Sequence, residues 1–242
     1  MLENWCSRTE LLIGKEAIEK LANKHIFIAG LGGVGGYVAE MLTRTGIGKL
    51  TILDSDTVSQ SNLNRQIIAL NSSIGKSKIK QISNRLKDIN PDINIIEKEI
   101  YLNSNNINEI FSEHFDYVVD AIDTLSPKIS LIKTALDKNL MLISSMGAGA
   151  KINPAKVTIT DISKTYNDNL ARILRKRLHR LGIRTGFKAV FSPEEVIKSA
   201  VKTIDFNIDE NKRSILGSIS YMPSIFGIYI AAEIIKDLIN KE

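Results

Sequence analysis

The chain's chemistry starts at Gly30-Leu31-Gly32-Gly33-Val34-Gly35, a G-x-G-x-x-G loop between an apolar run, His25 to Ala29, and a stretch with helical spacing, Tyr37 to Thr45. Strand, glycine turn and helix in that order bring backbone amides close to a phosphate and aim a helix N-terminus at negative charge. A second β-like run, Leu50 to Leu53, leads into Asp54. An acid about 20 residues past the glycines can hydrogen-bond ribose hydroxyls. This pattern specifies a nucleotide site. Dinucleotide dehydrogenases, methyltransferases and ATP-using enzymes all carry such a loop. The residues that follow narrow the choice, because a dehydrogenase has no use for Asp56 and the polar run Ser61-Asn62-Leu63-Asn64-Arg65-Gln66.

Further charged positions fall where an open α/β sheet would gather them. Gly75-Lys76-Ser77-Lys78-Ile79-Lys80 opens a helix expected to run to about Ile89 and to stop before Pro91. Lysines at a helix start face the positive end of its dipole, an oddity that a bound anion resolves. Phosphate clamps recruit cations near glycine-rich loops, which singles out Lys78, while Lys76 and Lys80 suit a solvated face. Tyr117 to Asp123 reads as a buried parallel strand ending in carboxylates, and ligands sit beyond the carboxyl ends of such strands, so Asp123 faces the site. Asp120 suits the site and a strand-end cap equally. Gly147-Ala148-Gly149-Ala150 either lets a loop pass close to ligand or simply turns the chain.

The elements needed to hold these residues follow from periodicity. A helix is expected over Gly14 to Leu21, strands over Ile93 to Lys98, Met141 to Met146, Val157 to Thr160 and Phe187 to Phe191, a short helix over Asn105 to Phe111, and a longer one over Leu125 to Asn139. Asp168 is placed to cap a helix with Leu170, Ile173, Leu174, Leu178 and Leu181 on one face. Ser192-Pro193-Glu194-Glu195 carries a helix-start signature, residues 203–213 read as a mobile loop, and Ile225 to Ile239 is a helix apolar nearly all round and therefore buried. Alternating strands and helices predict a Rossmann-like α/β fold, with a mostly parallel sheet, helices on both faces and an integral C-terminal annex. The expected organisation is a single domain over 1–242, with a nucleotide-binding half at 1–150 and an annex at 151–242.

At 242 residues the chain can bury an ample core. No apolar run approaches the roughly 20 residues that span a bilayer. The start, Met1-Leu2-Glu3-Asn4-Trp5, lacks the basic and apolar regions of a secretion signal, so a cytoplasmic location is expected. Cys6 is the only cysteine, which excludes an internal disulfide and zinc held by paired cysteines. The net charge of +5 is mild, but it is clustered. Between Ala171 and Lys188 lie Arg172, Arg175, Lys176, Arg177, Arg180, Arg184 and Lys188 with no acid among them. An uncompensated basic face over about five helical turns points to a phosphate backbone, and arginine suits phosphate forks and base stacking.

The run D-x-D-x-V-x-x-S-N-L-N-R-Q after G-x-G-G-V-G resembles the ubiquitin-activating-enzyme superfamily and its ThiF/MoeB-type adenylating enzymes. Further matching strings are R-T-E-L-L-I-G, T-R-T-G-I-G-K-L-T-I-L-D-x-D, A-I-D-T-x-x-P-K, M-G-A-G-A and G-S-I-S-Y-M-P. Over nearly its whole length the chain is most similar to the TcdA/CsdL family, tRNA threonylcarbamoyladenosine dehydratases. That resemblance implies ATP and Mg as cofactors, with Gly30, Gly32, Gly33 and Gly35 cradling the nucleotide, Asp54 and Asp56 on the ribose, and Asn62 orienting phosphate or substrate. It implies Arg65 and Lys78 on the polyphosphate, Asp123 as the magnesium ligand, and a homodimer in which Arg8 reaches the partner's ATP phosphates. ATP would adenylate the threonine carboxylate of the modified tRNA nucleoside, and the carbamoyl group would then close a ring and release AMP. Intramolecular closure needs positioning more than a protein nucleophile, which suits a chain with one cysteine. In this reading Arg172, Arg175, Lys176, Arg177, Arg180 and Arg184 hold the tRNA. A sulfur-transfer partner is unsupported, since Asn211 to Ser220 has no cysteine. The alternative is an adenylating activator of a ubiquitin-like sulfur-carrier protein, and a nucleotide-binding scaffold or NAD enzyme would leave Arg65 and Lys78 idle.

Overall fold

The computed structural model describes residues 5–203 and 214–240. Its helices are α1 (Ser7–Ile13), α2 (Lys15–Ala22), α3 (Gly35–Arg44), α4 (Lys78–Ile89), α5 (Ile107–Ile110), α6 (Leu125–Asp137), α7 (Asn169–Arg180) and α8 (Tyr221–Asn240). Its strands are β1 (His25–Ala29), β2 (Lys49–Leu53), β3 (Asn94–Lys98), β4 (Tyr117–Asp120), β5 (Leu142–Ser145), β6 (Thr158–Asp161), β7 (Lys188–Phe191), β8 (Val201–Thr203) and β9 (Ser214–Leu216). Seven strands form one sheet in the order β3-β2-β1-β4-β5-β7-β6, parallel except for β6, and β8 pairs with β9 in a separate ribbon. This is the expected Rossmann-like fold.

β1 is buried along its whole length because both faces of the sheet are covered. Ile26 and Ile28 join one core with residues of α2, α3, α4 and α8. Phe27 and Ala29 join the other with residues of α5, α6 and α7. Phe27, Phe111 and Phe115 pack ring to ring at centroid separations of 5.1 to 5.5 Å. The order of strands reverses between β1 and β4: the chain leaves β3 on one side and continues at β4 on the other. A crevice opens at such a switch point, beyond the carboxyl ends of the two strands.

Several elements differ from expectation. Ser192-Pro193-Glu194-Glu195 starts no helix. Instead the buried Glu194 carboxylate accepts the Ile152 and Asn153 amides, and Lys151 Nζ donates to the Ser192 carbonyl at 2.6 Å. Its polar groups therefore serve a neighbouring loop. α7 ends at Arg180, so Arg184 lies in a loop and Lys188 opens β7. Leu181 is the exposed residue just past α7 and takes no part in its apolar face. β4 stops at Asp120, three residues early, and α4 begins at Lys78 with Ser77 as its cap. α8 starts four residues early at Tyr221, with Pro223 tolerated in its first turn, and leaves Ile228 and Tyr229 exposed. Beyond Thr203, the loop expected over 203–213 lies outside the described residues.

Candidate active site

The glycine loop closes over the carboxyl end of β1. Gly30 adopts φ +87°, and a Cβ there would meet the Ala121 carbonyl oxygen at 2.7 Å. At Gly35 it would fall 1.8 Å from the Gly30 carbonyl oxygen. Both positions are glycine because the chain itself leaves no room. Gly32 differs, since a Cβ would find only Gln66 Nε2, at an ordinary 3.6 Å. The missing side chain there keeps a cradle open on the loop, as close approach of a nucleotide phosphate requires. Gly33 faces Pro223 of α8 at 2.9 Å and Arg65 Cγ at 3.4 Å from its would-be Cβ, so Arg65 and the start of α8 border the loop.

Asp54 is buried and binds the loop from below: its carboxylate accepts the Leu31 amide at 2.7 Å and the Asp56 amide at 2.8 Å. Burial pushes its carboxyl above the ordinary range, with Lys78 pulling the other way. Residues 56–58 then pair with 75–78. Val58 N donates to the Lys76 carbonyl, Lys78 N to the Asp56 carbonyl, and Thr57 bridges Ser77. That pairing delivers Lys78 to the site, with its side chain buried and Nζ 2.7 Å from Asp56 Oδ2. Asn62 is buried in a short 3-10 turn and accepts the Ser59 amide. Arg65 donates to the Ser61 carbonyl and to Asn64 Oδ1. The buried Oε1 of Gln66 has no hydrogen-bond partner among the described residues.

Across the switch point the turn after β4 carries Asp123, exposed at the crevice. Asp120 is not exposed at all. Its carboxylate is held by Ser144 Oγ at 2.5 Å and Lys128 Nζ at 2.7 Å, and it accepts the Ile122 amide, which resolves its two readings in favour of the strand-end cap. Sequence reasoning gave Lys128 no role. Its only signal is the lysine closing A-I-D-T-x-x-P-K, and nothing in spacing announces that such a lysine will be desolvated. Lys151 was missed for the same reason: it is buried against Asp168 at 2.7 Å, and Asp168 also caps α7 through the Ala171 amide.

The structure brings Gly30, Gly32, Gly33, Gly35, Asp54, Asp56, Asn62, Arg65 and Lys78 together on one side of the crevice and sets Asp123 on the other. Arg8 is not with them. It is exposed on α1, and Cys6 beside it lies 3.6 Å from the would-be Cβ of Gly46, at the far end of α3 and about 15 Å of helix from the loop. The basic set is also divided. Lys176, Arg177 and Arg180 are exposed on α7 and Arg184 in the following loop, but Arg175 is half-buried and donates to the Thr165 carbonyl and hydroxyl. Arg172 donates to Asn169, and both arginines line a hollow of about 310 Å³ at the start of α7. Lys188 turns away to Glu233 and Asp237 of α8, so it is no part of a basic surface.

The donor set fits a magnesium nucleotide. Mg²⁺ is held by one or two carboxylates together with phosphates, not by an all-protein cage. Asp123, exposed in the turn beyond β4, is a carboxylate of that kind. Fold and crevice thus define a nucleotide-binding enzyme of the α/β class, and residues 6–242 match the ThiF family, to which the chain belongs. It is 37% identical over 239 residues to tRNA threonylcarbamoyladenosine dehydratase of Bacillus subtilis, covering 97% of this chain and 94% of the relative. The solved structure of Escherichia coli tRNA N6-threonylcarbamoyladenosine dehydratase, TcdA, in complex with ATP superposes with a TM-score of 0.88 at 32% identity, covering 96% of this chain and 93% of that one. The same E. coli enzyme in complex with AMP gives a TM-score of 0.86, again at 32% identity, over 96% of this chain and 92% of that one.

Proposed function

We propose that this chain is an ATP-dependent tRNA threonylcarbamoyladenosine dehydratase working in the cytoplasm. The observation that carries the reading is a glycine loop whose open position, Gly32, is not required by the chain's own packing, bordered by Arg65 and joined to Lys78 through Asp54 and Asp56. Full-length similarity to dehydratases supports the substrate. The carboxylate of the threonyl group is ionised at neutral pH and needs no general base. It attacks the α-phosphorus and displaces pyrophosphate. The carbamoyl group then attacks the acyl-adenylate within the same nucleoside, closing the ring and releasing AMP, for a net loss of one water.

Each residue has a place in that sequence. The loop amides and the N-terminus of α3 receive phosphate, Asp54 and Asp56 are assigned to the ribose, and Asn62 orients phosphate or substrate. Arg65 and Lys78 offset charge developing as pyrophosphate leaves. A magnesium ion held by Asp123 would supply Lewis-acid polarisation of the phosphates. The chain's half at 1–150 does this chemistry, while the annex at 151–242 presents α7 to the anticodon loop and helps form a homodimer. Leu11 and Leu12 on α1 are 90% and 83% exposed, an adjacent apolar pair that a second copy would cover. Because Arg8 sits far from its own chain's loop, it acts in the partner's site.

The test is AMP release from ATP and magnesium with tRNA carrying threonylcarbamoyladenosine, against unmodified transcript, with the nucleoside mass followed by liquid chromatography. AMP formation coupled to loss of one water supports the reading. No response to that tRNA, with adenylation of a carrier protein's terminus instead, would replace it by the carrier-activator reading.

A further inference from the structure

We propose that Lys128 is a positioning residue for Asp123: paired with Asp120 beneath the switch point, it fixes the turn that aims the Asp123 carboxylate at the metal-nucleotide. This rests on the metal role given to Asp123 above. Lys128 and Asp120 are both fully buried, with Nζ 2.7 Å from Asp120 Oδ2. A sealed ion pair is costly, and well-packed apolar residues of similar volume often replace one without loss of stability. What apolar residues cannot do is grip backbone polar groups. This pair grips both peptide units leading into Asp123.

The Ile122 amide donates to Asp120 Oδ1 at 3.2 Å, and Lys128 Nζ donates to the Ile122 carbonyl at 2.9 Å. Upstream, Ala121 N donates to the Ala29 carbonyl, and the Ala121 carbonyl abuts Gly30 of the nucleotide loop. Residues 121–123 have no strand or helix to set their direction. The Ile122 carbonyl belongs to the peptide bond that joins Asp123, so holding its oxygen fixes the Cα from which the carboxylate extends. Ser144 of β5 holds Asp120 Oδ2 in turn, tying the grip to the sheet. Lys128 itself is fully buried, and its side-chain partners are Asp120 and the Ile122 carbonyl. Its effect passes through Asp123.

The experiment is a Mn²⁺ titration read by electron paramagnetic resonance in the presence of a non-hydrolysable methylene analogue of ATP, on the full chain. The variants are Asp120→Asn/Lys128→Met, which leaves no unpaired buried charge, and Asp123→Ala. Partners behind a metal ligand are worth about 10- to 100-fold in metal affinity. The double variant is expected to lose about tenfold in Mn²⁺ affinity while binding of the analogue in chelator stays within twofold. Unchanged Mn²⁺ affinity in the folded double variant, with Asp123→Ala clearly weakened, overturns the positioning role alone. Unchanged affinity in Asp123→Ala overturns the metal reading beneath it. Should the double variant lose its circular-dichroism signal, Ser144→Ala removes one donor from Asp120 and takes its place: a threefold weakening supports the proposal and no change overturns it.

Discussion

Alanine at Gly32 and alanine at Gly35 should separate nucleotide binding from folding. At Gly35 the added Cβ would lie 1.8 Å from the Gly30 carbonyl oxygen, and real Cβ contacts essentially never fall below 3.0 Å, so the loop must open by at least 1.2 Å. The atom in the way is backbone, the carbonyl of a glycine at positive φ, and not the far end of a flexible side chain that could swing aside. Overpacking of this kind costs about 1–3 kcal/mol or more. For a chain this size that lowers the melting temperature by roughly 2–12 °C. At Gly32 the nearest atom is 3.6 Å away and φ is not left-handed, so alanine fits and removes unfolded-chain entropy worth about 0.4–1 kcal/mol. The same methyl fills the cradle, and a loss of about 10- to 100-fold in nucleotide affinity, or roughly 1.4–2.8 kcal/mol, is expected. Thermal melts without ligand and calorimetric titration with a non-hydrolysable ATP analogue read the two effects separately. A Gly32→Ala protein that binds nucleotide normally, or melts several degrees low, would refute the assignment of that glycine to the ligand.

Removing either cation should act on chemistry with the fold intact: Arg65→Ala and Lys78→Ala are each expected to slow AMP formation by about 10²- to 10³-fold, with unchanged far-ultraviolet circular dichroism. Lys176→Ala and Arg180→Ala should weaken binding of an anticodon stem-loop and lower the salt slope by about 1 each, as anisotropy across a salt series would report, and an unchanged slope would exclude α7 from the phosphate contacts. A pH dependence follows from Asp161. Burial opposes its charge, yet hydrogen bonds from Ser163, Gly186 and Thr185 bring its carboxyl down from 3.8 to about 2. A depressed carboxylate contributes stability above its unfolded value that is lost as pH falls through the folded one. Urea midpoints should therefore drop between about pH 4 and 2 more steeply than in Asp161→Asn.

Elements buried on both faces were legible because burial leaves a continuous apolar run, as in His25–Ala29 and Tyr117–Asp120. The nucleotide loop was legible because glycine types and spacing are themselves the requirement. Ser192-Pro193-Glu194-Glu195 misled because a capping signature states only that carboxylates and hydroxyls seek backbone amides, and Glu194 found those of Ile152 and Asn153. The basic stretch was overestimated because charge was counted without geometry: the chain turns after α7, and Lys188 meets the acids of α8. Helix ends slipped at Lys78 and Tyr221, where tertiary pairing decides the first turn.

Three lysines are buried among the described residues, and each follows the carboxyl end of a strand with an aspartate beside it: Lys78 with Asp56 after β2, Lys128 with Asp120 after β4, and Lys151 with Asp168 after β5. Of the three, only Lys78 is singled out by sequence as the phosphate cation. Exposure of the partner separates them. The Asp120 and Asp168 side chains are 0% and 2% exposed, so their pairs are sealed, and withdrawing either lysine would strand a buried carboxylate at a cost of about 3–5 kcal/mol. Asp56 is 66% exposed and can turn to water when its lysine is taken. A polyphosphate arriving on the glycine loop therefore competes with a solvated carboxylate at Lys78 and with a desolvated one at the other two. Lys78 is the cation that can change partners, while Lys128 and Lys151 stay committed to the backbone and side chains they organise.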